Sequence, residues 1–183
     1  MSRVSAGLSR ATRAKLAPIR LLVLDVDGVM TDGRLYYGED GEVLKVFNTL
    51  DGHGLKMLAS TGVTIAIISG RKSKALARRA KDLGIAHVQM GVADKAEAYQ
   101  SLLKRAKVKE QQVASIGDDV VDLPILLHCG WSAAVPDAPQ DVRGRVDMVT
   151  KARGGEGAVR ELCEFIMRAQ NTYDGVLAGY IAD

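Results

Sequence analysis

The residues best suited to chemistry are two short acidic segments, a serine and a lysine, each standing where an apolar run ends or a helix-period stretch begins. Asp25-Val26-Asp27-Gly28 follows one apolar run, Ser69-Gly70-Arg71 a second, and Gly117-Asp118-Asp119-Val120-Val121-Asp122 a third, with Lys95 between the last two. A phosphate monoester carries up to two negative charges, so a carboxylate can approach its phosphorus only when cations screen both. Asp25 and Asp118 offer two oxygen ligands for a hard ion such as Mg²⁺, which favours octahedral oxygen coordination. Lys95 adds a further positive charge, and Ser69 with the backbone N–H groups of Gly28 and Gly70 suits phosphoryl oxygens. Asp27 lies two residues beyond Asp25, on the same side of an extended chain. It is placed to protonate a leaving alkoxide and then to deprotonate the water that opens an aspartyl-phosphate on Asp25.

Each of these residues has a plainer reading when taken alone. An aspartate after a strand commonly caps a helix, and an isolated lysine commonly faces water. The weight lies in their shared position at strand C-termini, where open α/β sheets form their ligand crevice.

Apolar runs and helix-period stretches alternate along the chain, which predicts a doubly wound parallel α/β sheet, Rossmann-like in class. Core strands are expected at residues 19–26, 63–69, 86–89, 112–116, 132–135 and 148–150, with helices over 72–83, 94–106, 123–129 and 156–169. Residues 33–49 read instead as a β-hairpin whose turn holds Gly38 and Gly41. Side-chain alternation sets Leu35 and Tyr37 against Tyr36, and Val43 and Phe47 against Leu44 and Val46, so both faces are apolar and a second subunit is an expected partner. The chain divides into a basic arm at 1–18, one domain at 19–170 and a flexible tail at 171–183.

The 183 residues carry 25 basic and 22 acidic side chains, dispersed along the chain for a net charge of +3, which argues against a dedicated nucleic-acid binder. Cys129 and Cys163 lack metal-site spacing, as do His53, His87 and His128, and a reduced cytoplasmic chain is expected. No apolar run approaches the roughly 20 residues of a membrane-spanning helix, and the opening segment lacks a signal-peptide core.

The motifs Asp25-Val-Asp-Gly-Val-Met-Thr-Asp-Gly33, Ile68-Ser-Gly-Arg71, Lys95 and Gly117-Asp-Asp-Val-Val-Asp122 resemble, in order, the four motifs of the haloacid dehalogenase superfamily. The gaps between motifs hold no cap domain. With the hairpin, Phe47-Asn-Thr-Leu-Asp-Gly-His-Gly-Leu-Lys56, Val135-Pro-Asp-Ala138 and Gly154-Gly-Glu-Gly-Ala-Val-Arg-Glu161, the chain resembles the capless octulosonate-phosphate phosphatases.

That resemblance implies a cytoplasmic, Mg²⁺-dependent homotetramer hydrolysing an eight-carbon sugar-acid phosphate of lipopolysaccharide biosynthesis. It implies Asp25 as nucleophile and Asp27 as acid and base. The metal would be held by Asp25, the Asp27 backbone carbonyl and Asp118, and the phosphate by Ser69 and Lys95. Asp119 and Asp122 would play supporting roles, and Arg71 and Arg153 would meet the substrate carboxylate. The glycines after Arg153 allow close approach to a ligand, and the tail could close over a neighbouring site. Leu50 departs from the arginine many relatives carry there, which removes a carboxylate contact from that segment. A nine-carbon sugar-acid 9-phosphate is the alternative substrate, and a catalytically silent oligomerisation module the alternative class.

Overall fold

The computed structural model describes residues 8–181. Among them, six strands form one parallel sheet: β1 (Leu21–Leu24), β4 (Thr64–Ser69), β5 (His87–Met90), β6 (Val113–Gly117), β7 (Trp131–Ala134) and β8 (Met148–Val149). Their spatial order is β5-β4-β1-β6-β7-β8. The chain builds outward from β1 in one direction through β4 and β5, then returns and builds outward in the other from β6. Strands β1 and β6 therefore flank the topological switch point, where ligands of such sheets bind.

β1 is Leu-Leu-Val-Leu, each side chain at most 1% exposed, as a strand covered on both faces requires. Leu22 and Leu24 join one core cluster, Leu21 and Val23 the other. Burial of each such side chain is worth roughly 2 kcal/mol. The first face is covered by α1 (Arg10–Leu16), α2 (Thr49–Ser60), α3 (Lys74–Leu83) and α7 (Ala158–Ala169), the second by α4 (Lys95–Ala106) and α5 (Leu123–Leu126). Register pairs Leu24 with Ile67 on one side and Ile116 on the other. The three strands thus end within two residues of one another, and the residues at and just beyond their ends are delivered to the same edge.

Helix α7 begins after Gly157, which has no side chain to cap it. Asp51 of α2, buried, supplies the missing acceptor by taking the Arg160 N–H at 2.8 Å. This contact also fixes the preceding loop. There Gly154 lies against the backbone of Gly28 and Thr31, and a Cβ on Gly154 would overlap the Gly28 carbonyl oxygen. Close approach was expected toward a ligand; it is made to the loop after β1.

Strands β2 (Tyr36–Gly38) and β3 (Gly41–Leu44) form the expected hairpin, apart from the main sheet. Leu35, Tyr37, Val43, Leu44 and Val46 are all exposed. Only this hairpin and α2 stand between β1 and β4, and only α3, β5 and α4 with short connections between β4 and β6, so no cap domain is inserted there.

Two further helices depart from the expected pattern: one-turn α6 (Gln140–Arg143), started by Pro139, and α8 (Tyr173–Ile181). Composition suggested a flexible tail for 171–183, yet its described part is helical, with the Arg168 guanidinium 3.6 Å from the Tyr173 ring centre. Within the expected arm, α1 is capped by Ser9 and anchored by buried Leu16; residues 1–7, and 182–183 of the tail, lie outside the described residues. No helix among the described residues is long and apolar enough to cross a membrane.

The Gly154 contact yields a direct comparison. Gly154→Ala should lower unfolding free energy by about 1–3 kcal/mol, because the added methyl meets backbone that cannot step aside. Gly175→Ala, in open space within α8, should be neutral or stabilising by up to about 1 kcal/mol. Urea midpoints measure both, and equal midpoints for the two variants would contradict the packing described.

Candidate active site

Asp25 is the first residue beyond β1, and its N–H still donates to the Ile116 carbonyl at 3.1 Å, so its backbone is held as if the strand continued. The chain then turns sharply: the Val26 carbonyl accepts from Met30 at 2.9 Å and Thr31 at 3.1 Å, and Gly28 adopts φ +89. This turn throws Asp27 toward the same cavity. Gly28 itself has two engagements. Its N–H donates to the Thr31 hydroxyl at 3.3 Å, and a Cβ there would overlap the Asp118 carboxylate. The structure therefore gives Gly28 a spacing role, with its amide engaged by Thr31.

Asp118 and Asp119 come directly after β6, and Asp122 closes the 3₁₀ turn after them. Buried Asp122 uses both oxygens. Oδ2 accepts the N–H groups of Asp118 and Asp119 at 3.0 and 3.2 Å, while Oδ1 accepts from Lys95 at 2.6 Å. Lys95, at the first turn of α4, donates to Asp25 Oδ1 at 2.6 Å as well. Its ammonium bridges the ends of β1 and β6. Asp119 caps the 3₁₀ turn by accepting the Val120 N–H at 2.7 Å.

The electrostatics reflect crowding. Burial, then the Asp122 charge, pushes the Asp25 carboxyl up to about 6 against the pull of Lys95. Asp118 goes to about 8, through burial and the charges of Asp25, Asp122 and Asp119. Burial alone would depress the Lys95 ammonium, but Asp25 and Asp122 outweigh it and hold it above the ordinary lysine value.

Oxygens of Asp25, Asp118 and Asp122 lie within 4.8 Å of one another, a spacing that suits the cis and trans positions around a small hard cation. Since both Asp122 oxygens already hold hydrogen bonds, Asp25 and Asp118 are the side chains that could serve as ligands. The Asp27 backbone carbonyl, two residues beyond Asp25, could add a third oxygen. An all-oxygen, doubly anionic set of this kind fits Mg²⁺.

Asp25, Lys95 and Asp118 line one cavity of about 610 Å³, together with Asp27, Ser69, Gly70, Arg71 and Asp119, with Asp122 behind its wall. Ser69 ends β4, 2% exposed, with its hydroxyl accepting the Arg71 N–H at 3.3 Å. Arg71, at the cavity wall, donates from Nη2 to the Tyr37 hydroxyl at 2.5 Å. Arg153 does not line the cavity; it is exposed and pairs with Asp137 at 3.3 Å. Leu50 is exposed on α2 and also lies off the cavity.

One contact was missed in the sequence. Lys45, just after β3, is buried and bonds its ammonium to Asp27 Oδ1. The only signal was a charged residue sharing alternation parity with Val43 and Phe47.

Comparison with known proteins agrees with this geometry. Residues 88–162 match the family model described as haloacid dehalogenase-like hydrolase. A 3-deoxy-D-manno-octulosonate 8-phosphate phosphatase of Yersinia pestis is 46% identical over 161 residues, covering 88% of this chain and 86% of that protein. Among solved structures, the phosphatase of that name from Moraxella catarrhalis, in complex with magnesium ion, phosphate ion and a KDO molecule, superposes with TM-score 0.89 at 40% identity. It covers 92% of this chain and 97% of that one. A probable YrbI family phosphatase from Pseudomonas syringae gives TM-score 0.92 at 47% identity, covering 96% and 99%.

The carboxylate cluster makes a prediction readable without turnover. A carboxyl group whose folded pKa is raised costs stability that grows from the pH at which the unfolded chain's carboxyl ionises up to the folded pKa, a range that includes pH 7 here. Metal-free Asp118→Asn should therefore be more stable at pH 7 than metal-free wild type, by about 1–3 kcal/mol. Mg²⁺ at a hundredfold its dissociation constant should stabilise the wild type by about 2.7 kcal/mol and the variant far less. Thermal midpoints with and without Mg²⁺ measure this; equal Mg²⁺ stabilisation of both would remove Asp118 from the metal site.

Proposed function

This chain belongs to the haloacid dehalogenase-like hydrolases, and on that premise we propose that it hydrolyses 3-deoxy-D-manno-octulosonate 8-phosphate to the sugar acid and phosphate, a step of lipopolysaccharide biosynthesis. The observation that carries the proposal is the meeting of Asp25, Asp27, Ser69, Lys95 and Asp118 around one cavity, in a chain so similar to phosphatases of that name. Asp25, Asp118 and the Asp27 backbone carbonyl would hold Mg²⁺, which would supply positive charge to offset the carboxylates and the phosphate.

In this reading Lys95 holds one oxygen of Asp25 and leaves the carboxylate oriented for in-line attack on phosphorus. The Ser69 hydroxyl and the Gly70 N–H bind phosphoryl oxygens, and Lys95 offsets their charge. Asp27 gives its proton to the leaving alkoxide as the ester P–O bond breaks and the aspartyl-phosphate forms. Asp27 then takes a proton from the water that attacks that phosphorus, and Asp25 leaves as a free carboxylate. Asp122 acts through Lys95 and the Asp118 backbone, keeping both in place. Arg71, at the cavity wall, is the nearer candidate for the substrate's own carboxylate, for which its planar fork is suited. Arg153 would reach a substrate only by leaving Asp137.

We further propose that the catalytic unit, residues 19–170, works as a cytoplasmic homotetramer whose hairpins pair and cover neighbouring sites. The exposed apolar side chains on both hairpin faces support this, since a patch of that kind marks a protein contact. A cyclic arrangement would close it.

Two outcomes are expected. Asp25→Asn preserves shape and removes the attacking charge, so turnover of the sugar-acid phosphate should fall by roughly 10⁴-fold or more while the fold survives. Steady-state kinetics beside circular dichroism would measure this, and activity within tenfold of wild type would exclude Asp25 as nucleophile. Val43→Glu with Leu44→Glu should convert a tetramer to smaller species in light scattering; a wild-type mass for the double variant would place the interface elsewhere.

A further inference from the structure

Lys45 stands outside all four motifs, yet its side chain is only 3% exposed. A desolvated ammonium persists only where fixed anions surround it. Lys45 has two: Asp27 Oδ1, and Glu42 Oε2 at 3.3 Å. Glu42 is held in turn by the Ser73 hydroxyl at 2.7 Å and by Arg71 Nη2 at 3.5 Å. Arg71 Nε lies 3.8 Å from Asp27 Oδ2. Asp27, Lys45, Glu42 and Arg71 thus form a closed ring of alternating charge, which ties the hairpin to the ends of β1 and β4.

The simpler role for such a ring is to fasten a two-stranded hairpin, which is marginal by itself. Glu42 with Arg71, Ser73 and Tyr37 would already do that. What Lys45 adds is a direct bond to the carboxylate that must transfer the proton. Asp27 sits in the turn after β1, where its side-chain torsions are otherwise free to choose among rotamers. Fixing Oδ1 on Lys45 fixes the direction of Oδ2. At 3.8 Å the Arg71 Nε is beyond hydrogen-bonding range, so Oδ2 stays available on the cavity side.

We propose that Lys45 is a positioning residue for the acid–base carboxylate of Asp27, a role that rests on the Asp27 assignment above. A general acid must lie within about 2.6–3.2 Å of the oxygen it protonates, and a misplacement of about 1 Å can cost about 100-fold. The hairpin therefore contributes to chemistry through one buried side chain, beyond any contact its exposed face makes.

The test uses leaving groups. An alkoxide needs its proton as the P–O bond breaks, whereas p-nitrophenolate leaves without one. Lys45→Met keeps the stem and removes the ammonium. Its kcat/KM should fall about 100-fold for 3-deoxy-D-manno-octulosonate 8-phosphate but less than about 5-fold for p-nitrophenyl phosphate. Lys45→Arg should recover the sugar phosphate to within about tenfold of wild type. Equal losses on both substrates, as loosening of the hairpin alone would produce, or no loss on the sugar phosphate, would overturn the role. Asp27→Asn serves as the reference: if it shows no leaving-group bias, the acid assignment itself fails, whereas bias in Asp27→Asn and none in Lys45→Met defeats the lysine's role alone. Should Lys45→Met not fold, Glu42→Gln opens the ring one residue further from Asp27 and must show the same bias in weaker form; equal losses there would overturn the proposal as well.

Discussion

Everything at this site answers to one constraint: carboxylates of Asp25, Asp118 and Asp122 are crowded within a few ångströms in a largely buried setting, where like charges cannot all ionise without a cation. Lys95 meets part of that demand by bridging Asp25 and Asp122. A hard cation would meet the rest at Asp25 and Asp118. The same repulsion that costs stability in the empty cluster makes it a strong attractor for Mg²⁺, and through it for a dianionic phosphate. Removing Lys95 would leave Asp25 and Asp122 without their shared cation, at a cost of about 3–5 kcal/mol for a broken buried ion pair.

The rest of the fold can be read as support for that cluster. The switch point between β1 and β6 brings Asp25 and Asp118 side by side, and the tight register of β1 with both neighbours keeps them level. Behind the β1 turn stands the Gly154 loop, pressed on Gly28 and Thr31 and pinned by the Asp51 cap of α7. In front stands the hairpin, joined through Lys45 and Arg71 to Asp27. Asp25 is thus fixed by the sheet, and Asp27 by a peripheral element whose outer face is apolar and exposed. The proposed assembly face and the contact to Asp27 thus lie on one hairpin.

Much of this was legible in sequence because strand-end positions are set by short-range pattern. Asp25, Asp118 and Lys95 come after continuous apolar runs or open a helix, and the period of those elements alone directs them to one edge. Lys45 was not legible, because a lysine in an exposed-looking hairpin gives no sign of where a flexible four-carbon stem ends. The Gly154-Gly155 pair was visible as a close approach, but nothing local says whether backbone or ligand fills the space. Likewise the Gly-containing segment of α8 has poor intrinsic helix propensity, and it is helical where it adjoins α7.

The claim on which this account turns is that phosphate passes through a covalent bond to Asp25. Two in-line displacements, first by the carboxylate and then by water, must each invert the configuration at phosphorus and together restore it. The measurement is the stereochemical course with a sugar-acid phosphate made chiral by isotopic oxygen and hydrolysed in labelled water. Net retention is the predicted result, while net inversion would mean that water attacks the substrate directly and that Asp25 is never phosphorylated.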